Sequence, residues 1–306
     1  TLQVLGDSTI AATTVNGQAG NVNVTAASVL LDNGNLSVAA TGSGNAGTLS
    51  VITPTLTLAN GSSISATTQF GGSTDTGNIN LLGLNTLQAN ASTISASTVT
   101  GTAGNIQIGA TGTVDLSNNS SLSVAATGQG GRAGDINLTT RNLQVNQSSI
   151  TVSSSQGQAG VIDITANRID LKGGKLQAQI GASPAAGSPA GSITLNVNFR
   201  ITLEDESEIS TLGTNGANGG NISILNARFL LGTRPTGPNG SDIIGRADGG
   251  GQGGRVILDR TILIQGFRFR RATDGNRTND VDTNGQLDNF STDAGQGIRG
   301  LSTPVV

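Results

Sequence analysis

The chain has 306 residues, of which 46 are glycine; six phenylalanines are its only aromatics, and it has no Cys, Met, Trp, Tyr or His. These absences exclude a Ser-His-Asp or Cys-His nucleophile, a zinc site of the usual kind and a disulfide framework, and no apolar run approaches the ~18 residues of a membrane-spanning helix. The net charge of −3 is uneven: residues 1–131 carry only Asp7, Asp32, Asp75 and Asp115, all 16 basic residues lie from Arg132 onward, and nothing there reads as a nucleic-acid footprint.

Thr1 is not an initiator methionine, so the chain reads as a processed product or a fragment. Its first pieces, Leu2-Gln3-Val4 and Ser8-Thr9-Ile10, start in mid-period of a repeat. The repeat opens with glycine, a second residue that is usually polar, and an alternating apolar strand. It begins at Gly20 (Gly20-Asn21-Val22-Asn23-Val24) and returns at Gly47, Gly77, Gly104, Gly134, Gly160, Gly191, Gly220 and Gly254. The steps run from 26 to 34 residues, with a mean of about 29.

Each period holds two further alternating segments. One reads like Leu56-Thr57-Leu58, Val114-Asp115-Leu116, Ile169-Asp170-Leu171 or Ile201-Thr202-Leu203. The next reads like Ser63-Ile64-Ser65-Ala66 or Ser121-Leu122-Ser123-Val124, after a turn such as Asp32-Asn33-Gly34 or Ala59-Asn60-Gly61. Alternation gives each strand one apolar face, and three short strands cannot bury that face alone. Stacking successive turns of chain buries it around one interior column. The predicted fold is all-β: a right-handed parallel β-helix with three short strands per coil and about nine coils. At one strand spacing per coil it is a rod of roughly 45 Å. The right hand follows the rule for parallel crossovers. Residues 1–265 form this solenoid and residues 266–306 a C-terminal cap or tail. Asn33, Asn60, Asn90 and Asn118 fall at one turn, and Asn21, Asn78, Asn105 and Asn221 at another. Stacked side-chain amides are expected to form ladders there; the alternative is that Asn simply suits turns.

Several segments interrupt the pattern. Glu204-Asp205-Glu206 with Glu208 replaces an Asn/Gly turn. Paired carboxylates are the machinery of glycosidases, but these are contiguous at a corner with no aromatic platform for a sugar, and read as a solvated turn. Residues 231–254 stretch one period to 34 residues and read as a protruding loop. Gly249-Gly250-Gly251-Gln252-Gly253-Gly254 lacks the Lys-Ser/Thr of a phosphate loop. The Thr pairs at Thr13, Thr67 and Thr139 are not evenly spaced, as a flat ice-binding array would need. At Phe267-Arg268-Phe269-Arg270-Arg271, the two aromatics are expected to plug the open end of the column while the cations face water. Asp280-Val281-Asp282-Thr283-Asn284-Gly285-Gln286-Leu287-Asp288 matches the opening of a calcium loop, with Asp280, Asp282, Asn284, Gln286 (by its carbonyl) and Asp288 as candidate ligands. Ser291 stands where the closing bidentate Glu belongs, and a polar turn is the competing reading.

Gly17-Gln18-Ala19-Gly20-Asn21-Val22-Asn23-Val24 and Ala59-Asn60-Gly61-Ser62-Ser63-Ile64-Ser65-Ala66 resemble the repeats of filamentous-haemagglutinin-like exoproteins, above all the large cyanobacterial members of the two-partner secretion pathway. The resemblance covers roughly residues 1–265. It implies a right-handed β-helix, export through an outer-membrane partner, and an extracellular or cell-surface place as an adhesin or matrix filament. The tail after Gly266 departs from it, and the period near 29 exceeds that of the best-known haemagglutinins. The leading functional expectation is therefore a structural, adhesive segment without chemistry of its own. Its partners would be cell-surface or matrix components, glycans among them, and other copies stacked end to end. A non-catalytic glycan-binding solenoid is the alternative, and a polysaccharide lyase or hydrolase comes third, because Tyr and Trp are absent and residues 1–131 lack basic groups.

Overall fold

The structure is a computed structural model that describes residues 1–70, 77–181, 190–233, 239–248, 251–269, 279–282 and 290–293. Among these residues there is no helix, and the strands pair in parallel. Each period brings the chain back beside its own previous turn, running the same way. Each turn has three arms. In the early turns the first arm is Val22–Thr25 and then Leu49–Ile52, the second Val29–Asp32 and then Thr55–Ala59, and the third Asn35–Ala40 and then Ser63–Phe70. First and second arms share a 16-stranded sheet, and third arms make an 11-stranded one. From Thr9–Thr14 to Asp242–Ala247 the third arms stack in chain order, nine strands and so eight steps. The fold is a β-solenoid of about eight turns, or about 38 Å of stack at one strand spacing per turn.

Three separate strands per turn hold only in part. In Ile79–Asn90, Ile106–Ser117, Val161–Lys172 and Ser192–Glu204 the first two arms run on as one strand. The corner survives there as a shift of register, between Ile108 and Thr113 and between Ala166 and Arg168. Where Pro54 removes an N–H from the corner, Leu49–Ile52 and Thr55–Ala59 stay apart.

The interior is a set of apolar columns. Ile64, Ile94, Leu122, Ile150, Leu176, Ile209 and Ile243 stand above one another in the third arms, all fully buried. Mostly β-branched side chains at every rung suit such a pleated, close-packed wall. At Gly47, Gly134, Gly160, Gly191, Gly220 and Gly254 the repeating glycine has a steric cause, and at Gly77 a left-handed φ of 75°. A Cβ on Gly220 would lie 1.8 Å from the Gly191 carbonyl oxygen one turn below, and one on Gly160 would lie 1.9 Å from that of Gly134. No side chain fits where the turns touch backbone to backbone.

The residue after that glycine makes the ladder, though not as amide stacked on amide. Asn78 Oδ1 accepts the N–H of Asn105 at 2.7 Å, Asn105 Oδ1 that of Asp135, and Asp135 Oδ1 that of Val161, also at 2.7 Å. Asn21 and Asn221 do the same for Thr48 and Arg255. Each side chain satisfies a main-chain donor of the next turn that its own strand ladder leaves over. At the other Asn turn, Asn33, Asn60 and Asn118 take left-handed angles, with φ of 52°, 54° and 55°. Asn90 is one residue early, in register with Ser117, and Ala91 holds the left-handed position there. Amide-to-side-chain bonds run from Asn33 to Asp7 and from Asn60 to Asp32, at 2.8 and 2.7 Å.

A buried serine column adjoins this turn. Ser92 N–H donates to Ser120 Oγ, Ser120 N–H to Ser148 Oγ, and Ser207 N–H to Ser241 Oγ, at 3.0–3.1 Å. Ser120 Oγ in turn donates to the Ser117 carbonyl at 2.7 Å. Each hydroxyl thus closes its own turn and caps the one below.

The far end is not stacked in chain order. The strand Asn279–Asp282 lies directly on Asp242–Ala247, and Phe267–Phe269 lies beyond it. Val281, buried over Ile243, takes the next rung of this column, and Phe269 pairs beyond it in register with Val281, so the aromatic strand comes one rung later than chain order implies. Phe267 packs partly buried against the core and Arg268 is exposed, while the side chain of Phe269 lies outside the described residues. Phe290–Asp293 continues the first-arm row on Val256–Asp259.

Two substitutions separate the causes at glycine. Gly220→Ala must push two backbones apart and is expected to cost about 3 kcal/mol or more. Gly61→Ala, at φ 81° with open space around it, meets only the left-handed penalty of about 1–2 kcal/mol. Ser120→Ala strands the buried Ser92 N–H and is expected to cost about 1–3 kcal/mol. Urea unfolding of the three variants against the parent chain measures all of them, and a Gly220→Ala curve matching that of Gly61→Ala would refute the close-contact explanation.

Candidate ligand-binding groove

The outward faces of both sheets change chemistry along the chain. Early third arms present uncharged hydroxyls in register, Ser65, Ser95, Ser123 and Thr151 in one column, and later ones align Lys175, Glu208 and Asp242. Second arms in the latter half of the chain present charge. There Asp115, Gln144, Asp170, Thr202 and Leu231 occupy successive rungs of one outward column. Beside it run Arg168, Arg200 and Phe229 on one flank, and Lys172 and Glu204 on the other. Residues two apart on a strand share a face, so these three columns form one surface.

That surface is hollowed into a groove of about 590 Å³ lined by Asp115, Asp170, Lys172, Arg200, Thr202, Glu204, Leu231 and Thr233, among others. Arg200 donates from its terminal NH2 nitrogen to Asp170 Oδ1 at 3.1 Å. With both side chains about a third exposed, this pair orients more than it stabilises. Arg200 Nε and Thr202 Oγ1 are buried and have no hydrogen-bond partner among the described residues. Thr202 is only 7% exposed although its side chain faces outward. Burial pushes the Asp115 carboxyl above its ordinary value of 3.8. Phe199 and Phe229 meet edge to face at 5.4 Å, with the Arg168 guanidinium 5.1 Å from the Phe199 ring centre. Aromatic surface therefore lies beside Arg200, in the middle of the strand that carries Glu204 at its end.

The acidic turn is divided by the fold. Glu204 reaches the groove, whereas Asp205 and Glu206 take left-handed angles of 50° and 64° at the corner. Asp205 lies 3.9 Å from Lys172 Nζ, and Glu206 Oε1 accepts the Asn239 N–H at 3.3 Å. Of the five candidate calcium ligands, Asp280 is fully buried in Asn279–Asp282, with its N–H bonded to Asp242 Oδ1 at 2.8 Å. The side chain of Asp282, and all of Asn284, Gln286 and Asp288, lie outside the described residues. Among the described residues no three acidic side chains gather as a metal-holding group, and no helix is long and apolar enough to cross a membrane.

Asp115, Asp170, Arg200 and Thr202 escaped the sequence reading because they stand 30 or more residues from one another in most pairings. The usable signal was their shared place in the period, the middle of Val114-Asp115-Leu116, Ile169-Asp170-Leu171 and Ile201-Thr202-Leu203. Comparison of the chain with protein-family models, with curated proteins and with solved structures found no match.

The raised Asp115 sets a pH dependence. The folded chain holds this proton more tightly than the unfolded chain, so Asp115 favours folding below 3.8 and loses that relative benefit as pH rises through the folded value. Thermal melts from pH 3 upward should show the parent losing stability relative to Asp115→Asn across that window; parallel curves would refute it.

Proposed function

We propose that the chain is a rigid structural and adhesive segment of an extracellular surface protein, acting by shape and surface contact without turnover. The observation that carries this reading is the unbroken, in-register stack from Thr9–Thr14 to Asp242–Ala247. Interlevel bonds from Asn, Asp and Ser tie its corners at turn after turn. A structure held this way resists bending and presents long, regular faces, as a spacer or matrix element requires. The likeness of its repeats to filamentous-haemagglutinin-like exoproteins supports a place outside the cell. A second reading, a non-catalytic glycan-binding solenoid, is favoured by the buried Thr202 hydroxyl in the groove, which has no partner among the described residues.

An antibody raised against the purified chain should label intact cells of the source organism. Labelling that appears only after permeabilisation would overturn the surface assignment.

A further inference from the structure

We propose that the groove between Asp115 and Leu231 is a binding site for a neutral polysaccharide chain, whose hydroxyls are held by Asp115, Asp170, Arg200 and Thr202. This deepens the glycan-binding reading and rests on it, but it is independent of where the protein resides.

The argument starts from unmet hydrogen bonds. Buried polar groups are nearly always paired, yet Arg200 Nε and Thr202 Oγ1 are buried without a partner among the described residues. Arg Nε only donates, carboxylates only accept, and a threonine hydroxyl does both. A ligand hydroxyl also does both, so one repeated functional group answers every member of the set. The length of the site sets the size of the ligand. Asp115, Gln144, Asp170, Thr202 and Leu231 occupy five successive rungs, four strand spacings or about 19 Å, which calls for an extended chain rather than a single sugar.

Charge and shape narrow the class further. The groove holds Asp115, Asp170 and Glu204 against Lys172 and Arg200, and Arg200 already faces Asp170 at 3.1 Å. Arg168 on the adjoining flank brings the surface to three carboxylates against three cations, so it has no net positive charge to recruit a polyuronate or a nucleic acid. An extended peptide binds by adding a strand to a free edge, but this groove lies on a sheet face whose backbone is already paired above and below. Leu231, with Phe229 two residues before it on the same face, offers an apolar platform for the non-hydroxylated side of a sugar ring.

The test is native affinity electrophoresis of the full chain through gels carrying laminarin, galactomannan or xyloglucan, with polygalacturonate as the anionic comparison, followed by calorimetry on whichever retards it. At least one neutral polysaccharide should retard the parent. Thr202→Val, which keeps the shape and removes only the hydroxyl, should weaken binding by ~10-fold or more without lowering the unfolding temperature. Asp170→Asn should weaken it similarly, and Thr57→Val, in the same column below the groove, should not. Absence of retardation by every neutral polysaccharide, retardation by polygalacturonate alone, or equal affinity in Thr202→Val would each overturn the site. Intact-cell labelling is unaffected by any of these results, so the two readings fail separately.

Discussion

The constraint on which everything else depends is the closeness with which each turn lies on the one beneath it. At the glycine corner the backbones approach until a carbonyl oxygen occupies the space of the next Cβ, under 2 Å away for Gly160 and Gly220. That approach brings the following Asn or Asp within 2.7 Å of the next main-chain donor. It also holds the register, and in a period-2 strand register decides which side chains are buried. The apolar columns, the serine column and the outward charged column all inherit their alignment from it. The glycine and the polar residue after it are therefore one device, a close contact and the hydrogen bond it permits.

Much of this was legible in the sequence because the repeat exposes it at every turn. Alternating Ile, Leu and Val with glycine every ~29 residues leaves few solutions besides a stacked coil. What was not legible was anything needing register finer than the period. Asn90 matches its neighbours by type, yet the left-handed position belongs to Ala91. The serines at 92, 120 and 148 look like ordinary turn residues. Only their burial and their bonds to the equivalent serines reveal a column. The rung beneath the terminal aromatics was missed for a related reason: pattern reading assumes that the next strand in sequence is the next in space, and Val281, seated between Ile243 and Phe269, breaks that assumption.

The groove shows the same limit from the functional side. Each of its residues is unremarkable within its own repeat. Asp115 is the fourth and last charge of a neutral stretch, and Thr202 is one threonine among many. They acquire chemistry only when the solenoid sets one above another, half-burying a carboxylate and burying a hydroxyl that has no partner among the described residues. A repeat protein can thus vary one outward position per turn at little cost to the stack, because the inward positions and the corners carry the fold.

The reversed order at the far end bears on assembly. A solenoid that grows by laying each new turn on the last would seat Phe267–Phe269 directly on Asp242–Ala247. That berth belongs instead to Asn279–Asp282, which is synthesised later. Among the described residues Phe267–Phe269 pairs only with Asn279–Asp282, whereas Asn279–Asp282 also pairs with Asp242–Ala247. Docking at this end is therefore hierarchical: Asn279–Asp282 has a seat of its own, and Phe267–Phe269 joins this sheet only through it, so an earlier stretch of chain waits on a later one.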